Sequence, residues 1–155
     1  MEVSMKIEKE IRQQHFSNEH HKLRVNLLFT ASWLSNEIKE FLDPFGLTQK
    51  QFNILRILKG FKGEIPPSVL DIRERMIDKM SDASRIIDRL EKKGLIRKKP
   101  CTMDKRATRI LIEDSALELL SRIEKHKGQL DGITNGLSDE QAKALNEMLE
   151  VLRGE

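Results

Sequence analysis

The periodicity of the chain changes abruptly at Gly94. Before it, Ile86, Ile87 and Leu90 mark the inner face of a helix that begins near Ser81. Gly94 itself suits the position just past a helix end. After it, Leu95-Ile96-Arg97-Lys98-Lys99 reads as a short strand, and Arg106 to Ile112 as a second, alternating at Ala107, Arg109 and Leu111. Pro100 to Lys105 is a basic turn between them. A strand–turn–strand placed directly after the second helix of a helix pair is the layout of a wing.

Helix signals dominate elsewhere. Leu27, Ala31, Leu34, Ile38 and Phe41 form one apolar stripe, predicting a long helix from about Ile11 to Leu42 that Pro44 and Gly46 end. Thr48 and Gln51 form a capping box, with Leu47 and Phe52 as its hydrophobic staple. The helix that follows turns Phe52, Leu55 and Leu58 inward and stops near Gly60. Gly63 and Pro66-Pro67 mark a loop, and Ser68 caps a short helix ending near Met76. Ile77 to Met80 is a brief turn. Beyond the hairpin, Ser115 and Glu118 predict another capping box, and Leu117, Leu120, Ile123 and Leu130 stripe a helix that Gly132 and Gly136 interrupt. Ser138 and Gln141 cap a last helix striped by Ala142, Leu145, Leu149 and Leu152.

The expected fold is mainly α with a small β-hairpin, a helix-turn-helix with a wing between two long end helices. At 155 residues the chain makes one domain. The compact middle is marginal alone, so the stripes of the end helices need a partner, within the chain or on a second copy. A symmetric dimer is the commoner solution.

Charge is unevenly spread. From Ser84 to Arg109 ten basic residues face three acidic ones, a net of +7. From Asp131 to the end two basic residues face six acidic ones, a net of −4. One surface that meets phosphate and one that does not would give this pattern; so would a solvated, ion-paired surface. Charge alone does not choose.

Other classes find little support. There is no phosphate loop, no nucleophile elbow and no metal-ligand cluster, so no enzyme and no cofactor are expected. His20 and His21 are adjacent and cannot share a helical face, and neither they, His15 nor His126 has zinc-site spacing. A membrane span and a secretory leader are not expected. Cys101 is the one cysteine, which fits a reducing cytosol and an incidental thiol. A winged-helix module that binds protein, without specific DNA binding, stays open as the alternative.

Three stretches resemble the MarR family of bacterial regulators: LTQKQFNILRIL (47–58), IDKMSDASRIIDRLEKKGLIRK (77–98) and DKRATRILIED (104–114). Ile77 departs from the pattern, standing where many members have glycine. The resemblance implies a winged helix-turn-helix over 47–113 with dimerisation helices at 1–45 and 115–155. It also implies a homodimer on a palindromic operator, usually a repressor, released by a small molecule. The first turn of a recognition helix reaches base edges, which nominates Ser81, Asp82, Ala83, Ser84 and Arg85. Asp82 either accepts from cytosine or caps the helix. Arg89 lies one turn on, facing the backbone or pairing with Asp88 or Asp104. Lys105 and Arg106 at the wing tip suit the minor groove, with Asp104 positioning Arg106. Ser68 and Lys79 are expected phosphate contacts. A ligand pocket would lie where Phe29, Trp33 and Phe41 approach Phe52 and Phe61, although such aromatics are more often plain core.

Overall fold

A computed structural model describes residues 6–101 and 108–154. Eight helices and a hairpin follow in order: α1 (Ile7–Glu10), α2 (Glu19–Leu42), a 3-10 turn (Asp43–Phe45), α3 (Gln49–Gly60), α4 (Val69–Arg75), α5 (Ala83–Lys92), β1 (Ile96–Pro100), β2 (Thr108–Ile112), α6 (Asp114–Glu124), α7 (Lys127–Gly132) and α8 (Asp139–Arg153).

Local chemistry sets most boundaries. The expected continuous helix from Ile11 is instead broken: Arg12 takes φ 53°, in the left-handed region, and helix resumes only at Glu19, after the extended cap Asn18. The Asn18 side chain accepts from the His21 amide at 2.8 Å, satisfying a free donor of the first turn. Lys22 ties α1 back to α2 through Glu8 at 2.5 Å. Gly46 closes the 3-10 turn at φ 68°, a conformation that costs glycine little. The Thr48–Gln51 box forms as expected, with both bonds at 3.2 Å. Ser68 caps α4 in a box completed by Asp71.

Two expectations after the hairpin are corrected. Ser115 is not a cap; it lies inside α6, which starts after Glu113, and its hydroxyl donates to the Gly94 carbonyl at 2.7 Å. The stripe to Leu130 is also two helices rather than one. The chain turns at His126, whose amide donates to Ile123, before α7 begins. Ser138 caps α8 with Gln141 as expected.

The strands pair antiparallel, with Ile96 opposite Ile112 and Pro100 opposite Thr108. The pairing begins one residue later than expected, at Ile96. Residues 106 and 107 lie outside the described part. A third chain segment joins the base of the hairpin: Ser68 bridges Arg109, and the Ile110 amide donates to Pro67 at 2.9 Å.

The buried core belongs to the middle of the chain. Ile54, Leu55 and Leu58 of α3 meet Ile72 and Met76, Ile87 and Leu90 of α5, Ile96 and Ile110 of the hairpin, and Leu119, Leu120 and Ile123 of α6. From α2 only Leu42 is buried, and from α8 nothing is. The α2 stripe at Leu27, Leu34, Ile38 and Phe41 is half-buried and Ala31 exposed. Leu28, Met148, Val151 and Leu152 stand in solvent. The end helices therefore retain apolar faces that this single chain does not cover.

Candidate nucleic-acid interface

The recognition helix starts at Ala83, and Asp82 is its cap, accepting from the Arg85 amide at 3.1 Å. That arrangement sorts the five first-turn candidates. Ser81 is 9% exposed and donates to Asp78 at 2.7 Å, and Ala83 is 3% exposed within the core. Both side chains face inward because the apolar stripe through Ile87 and Leu90 continues back through position 83. Neither offers DNA a free polar donor, the Ser81 hydroxyl being committed to Asp78. Ser84 and Arg85 remain exposed on the outer face.

Arg89 lies one turn beyond Arg85 and is exposed too. It does not pair with Asp88, which Lys98 of β1 engages instead. Lys98 also approaches Glu91 at 3.5 Å. The bond to Lys98 holds the Asp88 carboxyl below its usual range, and its bond to Asp88 holds the Lys98 ammonium above its own. One ammonium of the wing's first strand thus balances one of these two carboxylates and screens the other. Within the described residues, neither Arg85 nor Arg89 has a side-chain hydrogen bond or ion pair. Lys92 extends the same face at i, i+4, i+7 spacing. Sequence reasoning passed over Lys92, although that spacing was visible.

Beside α5, a shallow groove of about 330 Å³ runs against α4, with Arg73 on one side and Asp82 and Ser84 on the other. Arg73 is a second residue that sequence reasoning missed; only the packing of the two helices brings it there. Lys79 is exposed in the preceding turn, and its ammonium donates to the Glu74 carbonyl. Ser68 is half-buried, its hydroxyl donating to Asp71 at 2.7 Å. The Ser68 amide donates to the same oxygen at 2.7 Å, which holds the Asp71 carboxyl below its usual range.

Asp104, Lys105 and Arg106 lie outside the described residues. The base of the wing is anchored by Arg109, which donates to Pro66 at 3.3 Å and lies 3.6 Å from Asp71. Cys101 is half-buried at the end of β1.

Of the five aromatics, Phe41 and Phe52 pack against the same core. No ring contact joins any two of them among the described residues; Phe41 meets Phe45 at 5.7 Å and Phe45 meets His126 at 5.8 Å. Arg56 lies over Phe52 and Arg75 over Phe61, at 5.9 and 4.0 Å. Phe29 and Trp33 are 36% and 42% exposed on α2. Among the described residues no group of three metal-ligating side chains forms, and no helix is long and apolar enough to cross a membrane.

Comparison with known proteins bears on this geometry. The MarR family model matches residues 47–108, from the start of α3 into the wing. The transcriptional regulator PecS of Dickeya dadantii is 30% identical over 129 residues, covering 81% of this chain and 74% of PecS. The chain belongs to the MarR family. The transcriptional repressor IacR of Pseudomonas putida is 28% identical over 119 residues, 76% of this chain and 70% of IacR. Two solved structures share the fold. A point mutant of MarR from E. coli, complexed with operator DNA, superposes with a TM-score of 0.78 at 17% identity, covering 90% of this chain and 99% of that one. An organohalide-sensing regulator in its 2,4-dichlorophenol-bound form gives 0.79 at 21%, covering 99% and 88%. This MarR-family chain is a transcription regulator of the winged helix-turn-helix type, and the enzymatic reading is set aside.

Proposed function

We propose that the protein is a cytoplasmic, homodimeric repressor that grips a palindromic operator and lets go when a small molecule binds. One observation carries the proposal: Arg85 and Arg89 stand exposed and unpaired among the described residues, on the outer face of a recognition helix whose Asp88 is paired with Lys98 rather than with either arginine. A face left cationic in this way suits phosphate and guanine. In this reading Ser84 and Arg85 meet base edges, Arg89 and Lys92 hold the backbone, and Lys79 adds a phosphate contact; the expected contact from Ser68 is given up, because its hydroxyl and amide both donate to Asp71. Lys105 and Arg106 enter the minor groove, with Asp104 steadying Arg106. The operator held by the E. coli MarR relative supports the DNA partner, and the dichlorophenol held by the organohalide sensor supports an effector. The uncovered faces of α2 and α8 support a second copy.

The test is a mobility-shift titration with the DNA flanking the protein's own gene. Specific binding appears as a preference over random duplex that persists at moderate salt. Equal affinity for both duplexes would reject the proposal.

A further inference from the structure

Both ends of the recognition helix are tied to one short stretch of chain, Gly46–Asn53. At the front, Lys50 of α3 pairs with Asp78 at 2.9 Å. Asp78 accepts from the Ser81 hydroxyl at 2.7 Å and the Met80 amide at 3.0 Å. One turn along α3, the Asn53 side chain accepts from the Ile77 amide at 3.1 Å. The turn before α5 is thus held by two polar side chains of α3. At the rear, Lys93 donates to the Gly46 carbonyl at 2.6 Å and to the Gln51 side chain at 3.1 Å. Gln51 is only 4% exposed and also bonds the Thr48 amide, so this anchor is itself fixed.

Residues 46–53 form the junction between α2 and the reader. Apolar packing through Ala83, Ile87 and Leu90 holds α5 in the domain, and its ends need a further tie to follow the junction. Polar bonds at both ends supply that tie, because each has a direction and a narrow range of length. We infer that Lys50, Asn53, Asp78 and Lys93 are positioning residues that lock the recognition helix to the α2–α3 junction. A displacement at that junction is thereby carried to Arg85 without bending the helix. The inference rests on the DNA-binding reading above and adds to it how the reader is held.

The test compares Lys50→Met, Asn53→Leu and Lys93→Met with the conservative Lys50→Arg and Lys93→Arg. Affinity is measured by fluorescence anisotropy for the preferred operator and for random duplex. Amide hydrogen exchange at Ile77 and Met80 is read in the DNA-free protein. The disrupting variants are expected to lose about two- to fivefold in operator affinity each, as an exposed polar tie allows. Affinity for random duplex should hold, Ile77 exchange should quicken in Asn53→Leu and Met80 exchange in Lys50→Met, and both arginine variants should recover. A lysine that merely touches phosphate would weaken both duplexes alike and lower the salt slope by about one. That result, or operator affinity and exchange like the parent protein's, overturns the inference. Absence of any operator preference in the parent protein is a different outcome, and overturns the DNA-binding reading instead.

Discussion

The ammonium of Lys98, on the first strand of the wing, bonds the carboxylate of Asp88 on the outer half of the recognition helix. Wing and helix are therefore joined electrostatically as well as through the core. The bond also sets a positive charge against the Asp88 carboxylate beside Arg85 and Arg89. Replacing Lys98 with methionine frees Asp88 and Glu91 to repel phosphate. The expected result is an affinity loss of about three- to tenfold on any duplex, steepest at low salt where unscreened charge counts most. Anisotropy titrations at two salt concentrations check it.

Arg85→Ala is expected to behave differently from Arg89→Ala. A bidentate base contact gives discrimination of about 1–3 kcal/mol, so loss of Arg85 relaxes the preference for one sequence. Loss of Arg89 weakens operator and random duplex together. Selection of bound sequences from a random pool, run with each variant, separates the two.

Asp78 titrates in acid with a displaced midpoint. The bond from Lys50, followed by those from Ser81 and Met80, lowers its carboxyl from 3.8 to about 2. The folded value lies below the unfolded one, so the carboxylate stabilises the turn above pH 3.8 and loses that effect as pH falls through about 2. Following the Asp78 carboxyl carbon by NMR should give that low midpoint, moving up toward 3.8 in Lys50→Met. An unchanged midpoint in the variant would show that Lys50 is not the cause.

The core and caps set stability in the reader. Leu55 is fully buried, and Leu55→Ala is expected to cost about 2–5 kcal/mol. Ser68→Ala removes a cap and should cost about 1 kcal/mol. Chemical denaturation measures both, and the ranking is the claim: a cap loss that exceeded the core loss would contradict the packing described.

The apolar faces of the end helices predict assembly. Val151 is 72% exposed on α8, with Leu152 beside it. Val151→Glu paired with Leu152→Lys is expected to shift a dimer to monomer in sedimentation velocity while leaving the far-ultraviolet helical signal of the reader in place. A parent protein that sediments as a monomer would remove the dimer from the proposal.

Features that arise within a few residues were legible in the sequence. The boxes at Thr48 and Ser138 and the cap at Ser68 each depend on side chains three positions apart, and each formed. Ambiguity entered where neighbours compete. Ser81 and Asp82 are both natural caps; the choice went to Asp82 because Asp78 draws the Ser81 hydroxyl inward. The break between Ile11 and Asn18 has no periodic signal, since the residues between them do not share the stripe of α2. Lys93 meeting Gly46 joins positions 47 apart, and no periodicity announces such a bond. The groove beside Arg73 was hidden for the same reason, since it exists only once α4 and α5 have packed.

No residue of α8 is buried in its own chain. Its sequence therefore answers to almost nothing inside the protomer beyond keeping a helix. In a cell that carries several related regulators, this surface is free to diverge without disturbing the reader. Changes at Leu145, Met148 and Val151 could then shift which copies pair, and a transplanted α8 should carry part of any mating preference with it while operator choice stays behind.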